Sequence, residues 1–348
     1  MAVLKSLNRV FLSAAVAALP LLLSSCLQEF DPHLQEKHVV CLNSTACAGD
    51  TLTASVTRTW SWTEGDPRYG TLDIVLRDAD VRLYVNGEYR ETLLYAERPQ
   101  EDDSARPWRG FRSNYVPRPG DEIRITVSDA VYGEAEGEVS VPYPVEIEDV
   151  EVLELSRSES RWQDKVMYDG QFSLTAWFSD PADTLNYYLV KVGSRDDMVD
   201  GEDDSLTVSF HADFVDPLFY EFLSTLDAMF SEKSGYTMFT DRQIPGRHYP
   251  LKIRLNNVQY EIWTDMGPES NASTIELTLY SLSEGYYRHM LSVWSTNDGI
   301  NGVLGNIGLS DPIWEVSNVS TGAGMVAARS ASTVSIKYSS LFGLDPQH

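Results

Sequence analysis

From His38 onward, apolar and polar residues alternate over short stretches, the period-two pattern of half-buried strands. In the stretch 51–60, Leu52, Ala54 and Val56 share one face. In 79–84, Val81 and Leu83 oppose Arg82 and Tyr84. Asn86-Gly87 follows, the strongest two-residue hairpin signal, so Glu88 to Tyr95 is expected to be the return strand. Pro119-Gly120 marks another turn, and Ile123, Ile125 and Val127 alternate after it. Val139, Val141 and Pro142 close the unit. Between Arg98 and Pro119, mixed Pro, Arg and acidic residues predict a long surface loop. Short strands at this spacing, with no long helical period, predict an N-terminal β-sandwich over 38–144, immunoglobulin-like or transthyretin-like.

A second β-rich unit is expected over 145–342. It opens on Val145 to Leu155, where apolar and acidic residues interleave, and continues through Phe172, Leu174, Ala176 and the stretch 187–192. Two helices are predicted within it. Asp216-Pro217 supplies a capping acid and a first-turn proline, and Leu218, Phe219, Phe222, Leu223, Leu226, Met229 and Phe230 recur at helical spacing. Ser281-Leu-Ser-Glu284 has the form of a capping box ahead of Tyr286, Tyr287, Met290, Leu291, Val293 and Trp294. Strand patterns return at 313–316, 325–328 and 334–338. The predicted fold class is mainly β, with two consecutive domains.

The first residues read differently. Lys5 and Arg9 precede an apolar run from Val10 to Leu23, and Leu23-Ser24-Ser25-Cys26 ends it. Basic, apolar and small residues in that order form a secretory signal, expected over 1–25. A cysteine directly after Leu-Ser-Ser is the pattern of a bacterial lipoprotein signal, in which the thiol is acylated and the chain is cut before it. Cys26 is therefore the expected lipidation site, the bilayer the expected partner, and 26–37 a tether. The apolar run is shorter than the ~20 residues of a spanning helix, and Pro20 interrupts it. Acidic residues soon after Cys26 resemble surface-export signals, which points to outward display, with a periplasmic-facing anchor as the alternative.

Composition narrows the function classes. The formal net charge is -25, and removing a leader that holds Lys5 and Arg9 but no acid makes it more negative. That field, without a basic stripe, argues against nucleic-acid binding. Eighteen Tyr, twelve Phe and eight Trp suit strands. Beyond Cys26 lie Cys41 and Cys47, either a disulfide across a turn or two unlinked small hydrophobes. The acidic run between Ser194 and Ser205 lacks the spacing of a helix-loop-helix calcium site and reads as a solvated loop.

Enzyme motifs are missing: there is no His-Glu-x-x-His, Gly-x-Ser-x-Gly or P-loop. The six His are scattered, so no metal set is proposed and no cofactor is expected. Asp180 with Asp183, or Asp241 near His248, are the pairs that acid-base work would use, set against ordinary turn roles. Trp60 and Trp62 share a strand face, to stack a ligand or fill the core. Trp108, within Arg106-Pro-Trp-Arg-Gly110, is the candidate exposed partner contact. Asp50-Thr-Leu, Asp103-Ser-Ala, Asp183-Thr-Leu and Asp204-Ser-Leu resemble short O-glycosylation sites.

Four blocks carry a family resemblance: 76–87, with Val81-Arg-Leu-Tyr-Val-Asn-Gly87; 239–251, with Phe239-Thr-Asp-Arg-Gln-Ile-Pro-Gly246; 281–292, with Tyr286-Tyr287; and 311–324, closing on Gly322-Ala-Gly324. Together they resemble the Bacteroidetes lipoproteins called domain of unknown function 4249, over nearly all of the chain beyond Cys26. The family's usual aromatic after Gly-x-Gly is replaced here by Met325-Val326. The resemblance implies an outer-membrane lipoprotein, commonly encoded near TonB-dependent receptors, and no established activity. The expected function is that of a binding or accessory lipoprotein working with such a receptor, for an unknown small-molecule, peptide or glycan ligand. A pilus-like or adhesive lipoprotein is the alternative, and a hydrolase the third reading. Physically, Gly322 and Gly324 suit a turn with positive φ or close backbone approach.

Overall fold

The computed structural model describes residues 38–61, 64–65, 72–98, 108–195, 206–207, 210–220, 235–264, 273–297 and 316–344. The expected signal, Cys26, the expected tether, Trp62, the acidic run 196–205, the expected helical stripe over 221–230 and most of the strand expected over 313–316 lie outside them. Among the described residues the fold is mainly β, in three sheets.

Strands β1 (Val40–Cys47) and β2 (Thr53–Arg58) begin the first lobe. Then come β3 (Asp80–Val85), β4 (Glu88–Thr92), β5 (Leu94–Arg98), β6 (Trp108–Arg112), β7 (Glu122–Asp129) and β8 (Gly133–Ser140). Alternation decides which face is buried. Leu52, Ala54, Val56, Val81, Leu83, Ile123, Ile125 and Val127 are all at most 2% exposed. Asn86 and Gly87 take φ of 53° and 82°, the left-handed pair a tight hairpin between β3 and β4 requires.

The return strand is shorter than expected. At Leu93, which is buried and donates its N–H to Val81 O, the chain leaves β4 and enters β5 of another sheet. The predicted surface loop is also shorter, because 108–112 is β6, paired with β5 and β2.

The second lobe contributes β9 (Ile147–Trp162), β10 (Lys165–Ser179), β11 (Tyr187–Arg195), β12 (Leu206–Thr207), β13 (His211–Phe214), β14 (Tyr236–Thr240), β15 (His248–Trp263) and β16 (Thr274–Leu282). After these come β17 (Val319–Ser320) and β18 (Ala323–Lys337). Of the first predicted helix, Pro217–Tyr220 is described and is a 3-10 turn. The second is α1 (Glu284–Asn297), and a short α2 (Tyr338–Leu341) follows β18. The capping box is displaced: Ser281 ends up in β16, its Oγ accepting the Val145 N–H. Ser283 precedes the helix instead, and its carbonyl accepts the Tyr287 N–H.

The largest sheet runs β12-β11-β16-β18-β1-β2-β6-β5, with β14 also on β11. Its β1-β2-β6 end packs on the sheet β17-β8-β7-β3-β4 to form one core, which includes Val40, Leu42, Phe111 and Ile123. Its β11-β16 end packs on the sheet β13-β15-β10-β9 to form the other, which includes Phe172, Tyr188, Ile253 and Leu277. Strand β18 serves both: 323–329 lie parallel to β1, while 329–337 lie antiparallel to β16. The break at 144/145 therefore separates the cores, but the chain is not two consecutive closed units. Strands β17 and β18 return to complete the first lobe.

Candidate interaction surface

The acids singled out in the sequence come together in part. Asp180 follows β10, and Asp241 follows β14 in a 3-10 turn; both are buried, at 5% and 1% exposure. Asn186 lies between them. Its amide nitrogen donates to Asp241 Oδ2 at 2.8 Å and to Asp180 Oδ1 at 3.4 Å, and its backbone N–H reaches Asp241 Oδ2 at 2.9 Å. Asp180 also accepts the Tyr188 hydroxyl at 2.6 Å and the Gly246 N–H at 2.9 Å. Burial pushes the Asp180 carboxyl above the usual carboxylate range against the pull of those two donors, and the neighbouring Asp241 charge adds to the rise. The cluster ties the ends of β10, β11 and β14 together, and its groups are spent on one another. Asp183 is exposed on the turn, and His248 stacks on Trp177 and pairs with Glu148 at 3.2 Å.

The cysteine pair needs correction. Cys41 and Cys47 sit in the same strand, β1, and the residues between them are strand rather than turn. At about 3.3 Å per residue their Cα atoms lie about 20 Å apart, far past the ~7 Å limit of a disulfide. Both thiols are unbridged. Cys47 Sγ accepts from Arg329 Nε at 3.2 Å, a contact across the parallel β1–β18 pair.

The tryptophans also change role. Trp108 is half-buried at the start of β6, its ring against Gly110, so it is not an open loop contact. Trp60 is 38% exposed beyond the end of β2, so of its two expected roles it does not fill the core. The glycine expectation holds: Gly324 takes φ of +112°, and a Cβ on Gly322 would lie 2.5 Å from Val40 O.

The surface that stands out is the outer edge of β9. The strand pairs with β10 along its whole length, and among the described residues no strand lies on its other side. Opposite buried Ala176 and Leu174 stand Val150 and Val152. Opposite Trp177, Thr175 and Ser173 stand Asp149, Glu151 and Leu153, on the other face. Val152, Leu153 and Leu155 are 40%, 63% and 44% exposed. Alternation in 145–155 revealed the strand, but not that its outer edge carries no partner strand among the described residues.

Among the described residues no cluster of His, Cys, Asp and Glu could hold a metal ion, and no helix is long and apolar enough to cross a membrane. A search of curated proteins returns no match. The family model described as Domain of unknown function (DUF4249) matches residues 28–335. Since that span covers well over half of the chain, the chain belongs to the DUF4249 family.

Proposed function

We propose that this chain is a lipid-anchored accessory protein of the outer membrane, displayed at the cell surface, which binds a partner rather than transforming a substrate. The partner we favour is a TonB-dependent transporter engaged in nutrient uptake. The observation that carries this reading is the Leu23-Ser24-Ser25-Cys26 signal, with only the segment 27–37 between it and a β-rich body. Several acyl chains on Cys26 would hold the chain stably, since a single chain gives only marginal membrane binding. The body takes up the tether at β1, which has β18 on one side and β2 on the other. Tension from the membrane would load an interior strand rather than a fraying edge.

A second reading, an adhesive or pilus-like subunit, draws on the open edge of β9, since such edges accept donated strands. Purification of the tagged chain from native membranes separates the two. Co-purification of a transporter supports the first, and a ladder of covalently unlinked, detergent-resistant multimers supports the second. In the same cells Cys26→Ser should leave the precursor uncut and without lipid. Unchanged processing and membrane fractionation would contradict the proposal.

A further inference from the structure

We infer that the outer edge of β9, from Asp149 to Leu155, is a docking site for an extended segment of another protein, one that alternates apolar and basic side chains. The inference deepens the accessory-protein reading by giving the partner's chemistry, and rests on it only for the partner being a protein.

The backbone supplies the first argument. Val150 and Val152 fall at alternate positions with no bulge between them, so their amides point the same way. The Val150 N–H is taken by the Asp149 carboxylate at 2.9 Å. A side chain, not a β10 carbonyl, satisfies that donor, which places both amides on the edge away from β10. An added strand would find the Val152 N–H and the carbonyls beside it in ladder position.

Side chains supply the second. On the core side of the sheet, Val150 packs partly against the core while Val152 remains 40% exposed at its rim. An incoming strand with apolar residues at alternate positions would cover both. On the other face stand Asp149, Glu151 and the 63% exposed Leu153. Glu148 is paired with His248, Glu154 with Arg157 and Glu159 with Arg161, but no base among the described residues lies within ion-pair distance of Asp149 or Glu151. Opposite charges facing across a strand pair attract and like charges repel. The residues that alternate with the apolar ones on the incoming strand are therefore Lys or Arg.

Charged residues on an edge strand also guard against aggregation. That role leaves unexplained the exposed aliphatic side chains at Val152, Leu153 and Leu155, in the same short stretch. A second copy fits poorly, since it brings the same acids and a formal net charge of -25 of the same sign.

The full chain, in detergent, is titrated with two fluorescent peptides, acetyl-Lys-Val-Lys-Val-Lys-Val-Lys-amide and its counterpart with Glu for Lys. The account predicts at least tenfold tighter binding of the Lys peptide, weakening with added salt, and slower amide exchange over 150–155 when it is bound. Glu151→Lys combined with Asp149→Lys should reverse the preference. Val152→Pro, which removes an edge N–H and leaves the side facing β10 unchanged, should abolish binding of the Lys peptide. Should that variant fail to fold, the charge reversal decides alone. Equal binding of both peptides, or an unchanged preference in the reversed variant, would overturn the inference. So would self-association through β9, seen as a dimer in light scattering that Val152→Pro dissolves. Loss of membrane anchoring in the Cys26→Ser chain leaves the peptide result untouched, so the two readings fail separately.

Discussion

At Gly324 the backbone has φ of +112°, and a Cβ there would be driven into the Leu42 carbonyl of the parallel neighbour β1. Alanine meets both backbone strain and overpacking, each worth about 1–3 kcal/mol. Gly324→Ala should lower the stability of the chain by about 3 kcal/mol or more, measured by urea unfolding; a change under about 1 kcal/mol would contradict this packing. The two glycines were legible in the sequence because their lack of a side chain points to either positive φ or close approach, and here both apply. Glu91 was not legible, since its partners lie far along the chain. Its carboxylate accepts the Ser113 hydroxyl at 2.5 Å and the N–H groups of Asn114 and Tyr115 at 3.0 and 3.1 Å. It thereby links β4 to the segment after β6, across the two sheets of the first lobe. Burial alone would push the Glu91 carboxyl up, but these donors outweigh it and hold the group below its usual range. A carboxyl depressed in the folded chain contributes stability that is present above its unfolded value, about 4.3, and is lost as pH falls through the folded value. Glu91→Gln should therefore cost about 1–3 kcal/mol at pH 7 and flatten the loss of stability between about pH 5 and pH 3. Parallel pH curves for the two chains would refute that assignment.

Among elements, period-two alternation located the strands, because each has one face on a core and one face in water. Asn86-Gly87 fixed a hairpin for a local reason, the left-handed backbone at both positions. Other errors trace to non-local pairing. The segment between Cys41 and Cys47 has the polar residues of a turn, yet β2 and β18 hold it extended from both sides. Ser281 has the spacing of a helix cap, yet pairing of β16 with β11 and β18 carries the strand through Leu282. Trp108 looked like loop because β6 gains its identity from β5 and β2, not from its own sequence. The shared strand β18 has a consequence at this scale. A fragment spanning 38–144 lacks Val319, Val326 and Ala328, which belong to its core, and exposes the long side of β1. It should fail to fold alone, shown by near-ultraviolet circular dichroism without native signal. A cooperative unfolding transition in that fragment would show the first lobe to be independent.

Across the molecule, two cores lean on one nine-stranded sheet, and β1, its first strand in the chain, lies near its middle. The mainly β class was visible in the sequence, since period-two alternation recurs along most of the chain. The return of β17 and β18 was not, because strand order across a sheet leaves no local trace. The proposed docking edge lay between these cases: the acidic and apolar residues of β9 were plain, but their exposure depends on no strand pairing with that edge among the described residues. The account joins a body that binds to a point of anchorage, and anchorage is the more directly measurable. Mass spectrometry of the N-terminal peptide of the chain isolated from its native membrane decides it. The account predicts that the peptide begins at Cys26 and carries fatty acyl chains. A peptide without lipid, with Ser25 and residues before it still attached, would contradict it.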